Sequence, residues 1–327
     1  MPLFKKLKSR TRKFAMNIDV IICTFNRAEK LKCAVQSISK ADMPERISVR
    51  LIVVDNNSSD STKKVINDFT NDRRIEIKYL FESKPGKSTA LNTALSCIRG
   101  DIIALTDDDV TVEKGWITGM VNAVERYPEF NCFGGKVVAV YPDKIPDWLD
   151  INSSMKFLKS AFIDLDDGNI EVEYGTGTAS ITPSGVNMFF RYNAIEKNGF
   201  FRTDLGPVGK ELGFSEDTDY CRRLLEKGEK FMYIPSVLVY HPVYIERLNK
   251  KYLLKWQYKC GISEVRRNRG YNDAVNFLGT PRYLFRKLLQ HSAGWCLSLQ
   301  SRKKFYNKLR FYYTAGEIVE HLREKYL

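Results

Sequence analysis

The chain of 327 residues has no apolar run approaching the roughly 18–20 residues that a membrane-spanning helix needs. Its first apolar stretch, residues 20–25, is short and is followed by no small-residue cleavage site, so no signal peptide is read there. Cysteine is sparse: seven residues, an odd number, never spaced C-x-x-C. That argues against a disulfide framework or a zinc ribbon and points to a reducing compartment. G-x-S-x-G and H-E-x-x-H are both missing, which weakens serine-hydrolase and zinc-protease readings. Gly86-Lys87-Ser88 resembles the end of a phosphate loop, but Phe81 stands where that motif needs its first glycine. No helix-turn-helix, zinc or RNA-sheet signature is visible, and no internal repeat or low-complexity tract.

What remains is a chain that is 43% apolar and 12% aromatic, enough to bury a large core. The net charge of +13 is unevenly placed. Lys5, Lys6, Lys8, Arg10, Arg12 and Lys13 lie in the first thirteen residues without an acid, and from Pro242 onward 18 Lys and Arg stand against 6 Asp and Glu. Everything before Pro242 taken together is nearly balanced, 34 against 33. Such asymmetry suits a polyanion, either nucleic acid or an acidic membrane face, or else an ordinary basic surface.

The first half alternates strand and helix patterns. Strands are predicted over 19–25, 49–54, 75–81 and 101–105. Between them lie amphipathic stretches: Leu31, Ala34, Val35 and Ile38 at helical spacing, then 59–69, then 87–98 after the turn Lys84-Pro85-Gly86. Alternation of this kind implies a parallel sheet with crossover helices, whose ligands bind beyond the carboxyl ends of the strands. Thr24-Phe25-Asn26-Arg27, Asp55-Asn56-Asn57 and Asp107-Asp108-Asp109 each fall just past a strand end. Further on, 186–190 reads as a strand, 215–227 as a helix, and 231–240 as a strand that Pro235 makes irregular or places at a sheet edge. After Pro242 the chain becomes basic, aromatic and helical.

Three successive carboxylates at a strand end raise one another's pKa, and a divalent cation relieves the conflict. Oxygen ligands of this kind suit magnesium or manganese bound together with a diphosphate. The alternative is a solvated acidic turn capping the helix around Trp116. Ser215-Glu216-Asp217-Thr218-Asp219 opens another helix, either as a cap or as the source of a general base. His241, at a strand end before Pro242, is a metal ligand or a polar strand terminator.

In order, CTFNR, VVDNNSSD, KPGKSTALNTAL, LTDDDV, GVNMFF, SEDTDYC and VYHP resemble the family-2 glycosyltransferases of the GT-A fold, over roughly residues 17–242. The resemblance implies an α/β chain with a Rossmann-like, mostly parallel central sheet flanked by helices, an inverting mechanism and a divalent metal, Mn2+ or Mg2+. It implies that Thr24 and Asp55 contact the nucleobase, with Asn26 and Arg27 nearby, and that Lys87 faces the donor nucleotide. Asp107, Asp108 and Asp109 match the D-x-D element, Asp109 as the preferred metal ligand and Asp107 or Asp108 near the ribose; Asp107 remains a second candidate ligand. His241 matches a further ligand, Asp217 with Glu216 the acidic base motif, and Gly185, Asn187 and Met188 the donor-sugar and acceptor pocket.

The expectation is therefore a basic arm over 1–16, a glycosyltransferase domain over 17–242, and a basic helical extension over 243–327. The function expected is hexosyl or hexosaminyl transfer from a nucleotide-diphospho-sugar, UDP-linked by family habit, to a saccharide or lipid-linked hydroxyl, in cell-envelope polysaccharide or glycolipid synthesis. The place expected is the cytoplasm, peripheral on the inner face of the membrane where the basic extension meets anionic lipid, with no nucleic acid as partner. A nucleotide-sugar-binding protein without catalysis, a nucleotidyltransferase and a basic nucleic-acid binder are the competing readings.

Overall fold

In the computed structural model, residues 16–70, 74–149, 155–176, 180–269 and 276–326 are described. All but Met16 of the expected basic arm falls outside them. The element order is β1 (Met16–Thr24), α1 (Ala28–Ser39), β2 (Ile47–Asp55), α2 (Thr62–Phe69), β3 (Glu76–Phe81), α3 (Lys87–Leu95), β4 (Ile102–Asp107), β5 (Thr111–Val112), α4 (Trp116–Arg126) and β6 (Cys132–Val140). There follow α5 (Lys159–Phe162), β7 (Val172–Glu173), β8 (Asn187–Arg191), α6 (Tyr192–Asn198), α7 (Glu216–Glu226), β9 (Phe231–Pro242), α8 (Lys250–Arg267), β10 (Asn276–Phe277), β11 (Thr280–Pro281), α9 (Arg282–Leu297) and α10 (Ser301–Tyr326).

The chain packs as two compact units. The first takes in the chain through Val138, with Asp166–Phe201 and Tyr220–His241. Its sheet runs β3-β2-β1-β4-β8-β6-β9-β5, with β7 also on β9. The strands β3, β2, β1 and β4 are parallel, as crossover helices require. β1 reads as continuous Val and Ile because both faces are covered: Ile18, Val20, Ile21 and Ile22 are wholly buried. β8 joins β4 antiparallel and begins the second half of the sheet.

Two sequence features of this half acquire reasons. Pro235 lies within β9 between its two short partners: β7 pairs at Met232 and Tyr233, and β5 pairs at Val239 and Tyr240. The missing N–H therefore falls where β9 changes neighbour. β6 escapes sequence reading because Gly134-Gly135 interrupts its pattern. A Cβ at Gly135 would collide with the Val237 carbonyl and the Asn187 amide, and one at Gly134 with Pro183 and Tyr174. Close approach of neighbouring groups overrides β propensity there.

The second unit comprises Ala139–Leu165, Arg202–Asp219 and Pro242–Leu327, so two internal segments join the C-terminal helices. Its core gathers Leu149, Met155, Leu158, Phe162, Leu253, Trp256, Phe305 and Leu309. Asn249 caps α8 by accepting from the Tyr252 N–H at 2.8 Å. α10 packs on both α8 and α9. It meets α8 through two glycines: a Cβ at Gly261 would strike the Tyr313 carbonyl, and one at Gly316 the Tyr258 carbonyl.

Candidate active site

The site of the first unit is built at the carboxyl ends of the parallel strands. β1 ends at Thr24, whose hydroxyl donates to Asp108 Oδ2 at 2.7 Å across the neighbouring strand end. Arg27, at the start of α1, places Nη1 at 2.8 Å from Asp108 Oδ1 and 3.2 Å from Asp109 Oδ2. Lys87, the first residue of α3, reaches Asp107 Oδ1 at 2.7 Å. His241 lies at the end of β9, 1% exposed, with Nε2 3.6 Å from Asp109 Oδ1. The structure thus gathers Thr24, Arg27, Lys87, Asp107, Asp108, Asp109 and His241.

The electrostatics are those of a crowded anion cluster. Burial pushes the Asp108 carboxyl up to about 6, Arg27 opposing and Asp109 adding to the rise. Burial acts to raise Asp107 as well, but the Lys87 ammonium holds it below the usual carboxylate range. Burial disfavours the Arg27 guanidinium, yet Asp108 and Asp109 hold its pKa above the ordinary value.

Asp55, 3% exposed at the end of β2, accepts from Ser58 N at 2.8 Å and from the Tyr79 hydroxyl at 2.8 Å. Burial and this carboxylate push the Tyr79 phenol up to about 12. Asn26 has φ of 52°, a left-handed position that asparagine tolerates. Its backbone N–H donates to Ser58 Oγ at 2.8 Å and its Oδ1 accepts from Ser59 N at 2.7 Å, lacing the loop after β1 to the loop after β2.

Two residues here carried no role in the sequence reading. Asn56 donates to the carbonyls of Glu82 and Lys84 at 3.1 and 2.8 Å and accepts from Gly86 N at 2.7 Å. One amide side chain therefore fixes the turn that presents Lys87. Tyr79 orients Asp55 from β3. Asn56 stood in the polar cluster after β2, so its position was visible; its partners, 26–30 residues away, were not.

The expected pocket residues lie elsewhere. Asn187 is 0% exposed; its Oδ1 accepts from Trp116 Nε1 at 3.0 Å and its Nδ2 donates to the carbonyls of Lys136 and Val237 at 2.9 and 2.8 Å. Both amide hydrogens are used inside the core, so Asn187 cross-links β8, β6, β9 and α4 instead of lining a pocket. Met188, 1% exposed, packs its sulfur 4.0 Å from Cys221 Sγ. Gly185 is buried just before β8. Asn187 and Met188 point to opposite faces of β8, and both faces are covered, so both side chains are buried.

Glu216 and Asp217 open α7 and belong to the second unit. Glu216 is 7% exposed. Asp217 Oδ1 accepts from Thr218 N at 2.7 Å and from the Thr218 hydroxyl at 3.3 Å, which fixes its rotamer. Ser215 before them has φ of 75°, a costly conformation for a non-glycine residue.

Among the described residues, no group of three or more His, Cys, Asp or Glu is disposed to hold an ion. Asp109 and His241 instead form a facing pair, while Asp107 turns to Lys87. Two ligand atoms about 2.0–2.2 Å from one ion at ordinary angles stand about 3–3.6 Å apart, which the Asp109–His241 spacing of 3.6 Å matches. An oxygen and an imidazole nitrogen, both buried, fit manganese or magnesium completed by diphosphate oxygens.

An α/β sheet with acidic and basic groups convergent on the carboxyl ends of its parallel strands is built to bind a ligand there, and the comparisons carry this further. The family described as Glycosyl transferase family 2 matches residues 19–194, more than half of the chain. The chain belongs to that family. It is 26% identical over 249 residues to the succinoglycan biosynthesis protein ExoM of Rhizobium meliloti (strain 1021), covering 75% of this chain and 73% of that one. It is 25% identical over 253 residues to the glucosyl-dolichyl phosphate glucuronosyltransferase of Haloferax volcanii, covering 76% of each. In fold it is similar to the mannosyltransferase PcManGT from Pyrobaculum calidifontis, solved with GDP-Man and Mn2+, at a TM-score of 0.59 and 18% identity, over 97% of this chain and 90% of that one. It is likewise similar to S. aureus TarS 1-349, at a TM-score of 0.54 and 14% identity, over 93% and 90%. The fold is therefore GT-A, and the protein is a glycosyltransferase whose relatives act in polysaccharide and glycolipid synthesis.

Proposed function

We propose that the chain is an inverting, divalent-metal-dependent glycosyltransferase that moves a hexosyl or hexosaminyl group from a nucleotide-diphospho-sugar to a hydroxyl acceptor. The observation that carries the metal-dependent donor site is the buried Asp109–His241 pair, 3.6 Å apart, beside a carboxylate cluster that Arg27 and Lys87 only partly balance. A uridine diphosphate donor is the first choice from family habit. Relatives in fold were solved with GDP-Man and with UDP-GlcNAc, so the base is read from a panel. The acceptor is a saccharide or lipid-linked hydroxyl, as in the relative named for a glucosyl-dolichyl phosphate.

In this reading Asp109 and His241 would hold the cation, and a cation bound there would supply neutralisation of charge developing on the departing diphosphate. Thr24 and Arg27 fix the Asp108 carboxylate near the ribose. Lys87 brings a positive charge to the nucleotide side, its loop held by Asn56. Asp55, oriented by Tyr79, accepts from the nucleobase. Asp217 takes the proton from the acceptor hydroxyl as that oxygen attacks the anomeric carbon, with Glu216 beside it. One displacement inverts the anomeric configuration and needs a single base; a double-displacement route would need a second carboxylate as nucleophile.

The test is a thermal-shift panel of UDP-, GDP- and other nucleotide sugars, with and without manganese, on wild type and Asp109→Ala. Stabilisation by one nucleotide class that requires both manganese and Asp109 is the expected result. A folded protein that responds to no nucleotide would sink the reading. Product anomer determined by NMR then tests inversion, and Asp217→Asn should abolish turnover while leaving the donor shift intact.

A further inference from the structure

The helical unit carries a surface that the transfer reaction does not use. Residues 274–316 contain eight Lys and Arg and no Asp or Glu. Within this span α9 turns one stripe inward, with Leu284 wholly buried and Leu288, His291 and Trp295 half-buried. The opposite stripe is Arg282, Arg286, Leu289, Ala293 and Leu297, all exposed and spaced on one helical face. Leu289 is 71% exposed and Leu297 is 79% exposed. In the connection to α10, Leu299 is 101% exposed, so the rest of the protein covers none of it. Arg302, Lys303 and Lys304 follow at once, also exposed. At the other end of α9, the β10–β11 hairpin turns through Leu278 and Gly279 and exposes Phe277 and Leu278 by about half.

Scattered exposed leucines are ordinary. Here they share one helix face and its following turn with cations that have no acid among them. We propose that the outer face of α9 and the α9–α10 turn dock on an anionic lipid bilayer, with Leu289, Leu297 and Leu299 entering the interface and Arg282, Arg286, Arg302, Lys303 and Lys304 meeting headgroup phosphates. Charge selects this occupant. A second copy placed face to face would set cation against cation. A nucleic acid would satisfy the cations but leave the leucines in water. A bilayer with acidic headgroups takes both, and long basic side chains reach outward from an apolar face to do so.

The magnitudes are readable. Each Lys or Arg at an anionic surface changes partitioning by about fivefold, and each inserted leucine by about tenfold or more. The experiment is co-sedimentation of the full chain with phosphatidylcholine vesicles and with phosphatidylcholine/phosphatidylglycerol vesicles. Wild type should sediment with the anionic vesicles and far less with the neutral ones. The pair Leu297→Ser, Leu299→Ser should lower anionic-vesicle binding about a hundredfold. The triple Arg302→Gln, Lys303→Gln, Lys304→Gln should lower it by a similar factor and remove most of its salt dependence. All these side chains are exposed, so circular dichroism and melting should match wild type. Wild-type binding equal on both vesicles, or leucine variants that bind like wild type, would overturn the proposal. So would self-association without lipid, seen by sedimentation velocity and lost in the leucine pair, or duplex DNA binding that survives it. The readout involves no sugar transfer, so it stands or falls apart from the donor-site reading.

Discussion

The two ends of the same parallel strands treat buried carboxylates in opposite ways. Toward the amino ends, Asp19 of β1 and Arg50 of β2 are register partners, 2% and 5% exposed, joined by two bonds of 2.7 Å. Asp19 also accepts from Arg99 N and Gly100 N at 2.6 and 2.8 Å, and Arg50 donates to the Cys97 carbonyl at 3.0 Å. One charge meets one countercharge, and backbone groups take up the remaining lone pairs. At the carboxyl ends, three carboxylates share Arg27, Lys87 and a histidine, and Asp108 rises to about 6 because burial and Asp109 outweigh Arg27. A matched buried pair is close to neutral while whole and costly when halved. In the proposed function, the unmatched cluster at the other end is where a cationic ligand would bind.

The largest effect expected on this contrast is at Asp109. Asp109→Ala should lower sugar transfer about a thousandfold or more, while the melting midpoint does not fall, since Asp108 loses a like-charged neighbour; nucleotide release and circular dichroism melts report the two. At the other end the signs reverse. Asp19→Ala or Arg50→Ala should cost about 3–5 kcal/mol in urea unfolding, by stranding a buried charge, with turnover per folded molecule unchanged. Asp19→Leu combined with Arg50→Met should recover most of that loss.

The helical unit repeats the contrast in one helix. Glu320, 2% exposed, pairs with Arg266 at 2.6 Å. Glu317, 9% exposed, is pushed up to about 7 by burial, with Glu264 adding and Lys287 and Arg310 opposing. Its folded pKa lies above its unfolded value, so its contribution is intact below about pH 4.5 and is lost as pH rises through about 7. Glu317→Gln should therefore stabilise by about 3 kcal/mol at pH 8 and by almost nothing at pH 4, as judged by denaturant midpoints. The smallest effect belongs to Arg99, whose side chain pairs with Glu76 at 2.7 Å near the sealed end but on the surface. Arg99→Ala should change stability by less than about 1 kcal/mol, and less again in high salt.

Much of this was legible in the chain. The apolar runs of β1, β2 and β4 and the polar groups closing them at Thr24, Asp55 and Asp107 repeat locally, so strand ends and their common edge follow from pattern alone. Arg27 and Lys87 were visible as cations near that edge, but their division of labour, Arg27 on Asp108 and Asp109 and Lys87 on Asp107, depends on helix starts that pattern does not locate to the atom. Asn187 shows where local reading fails. The family resemblance implied a pocket position, while its side chain is held in the core by three partners 50–71 residues away that no local pattern shows. Segments 139–165 and 202–219 were equally hidden, since their packing with the late helices leaves no periodic trace in their own sequence.

That late packing has a consequence for how the protein is made. Trp148 sets its ring edge against Phe305, 5.3 Å between centroids, and Gly261 waits for the turn of α10 around Gly316. At about 5–20 residues per second, roughly 8–30 s separate the synthesis of Trp148 from that of Phe305. The parallel strands and their acidic edge can assemble as they emerge, but the helical unit closes only once α10 has followed, and until then its apolar early segments are natural clients for chaperones.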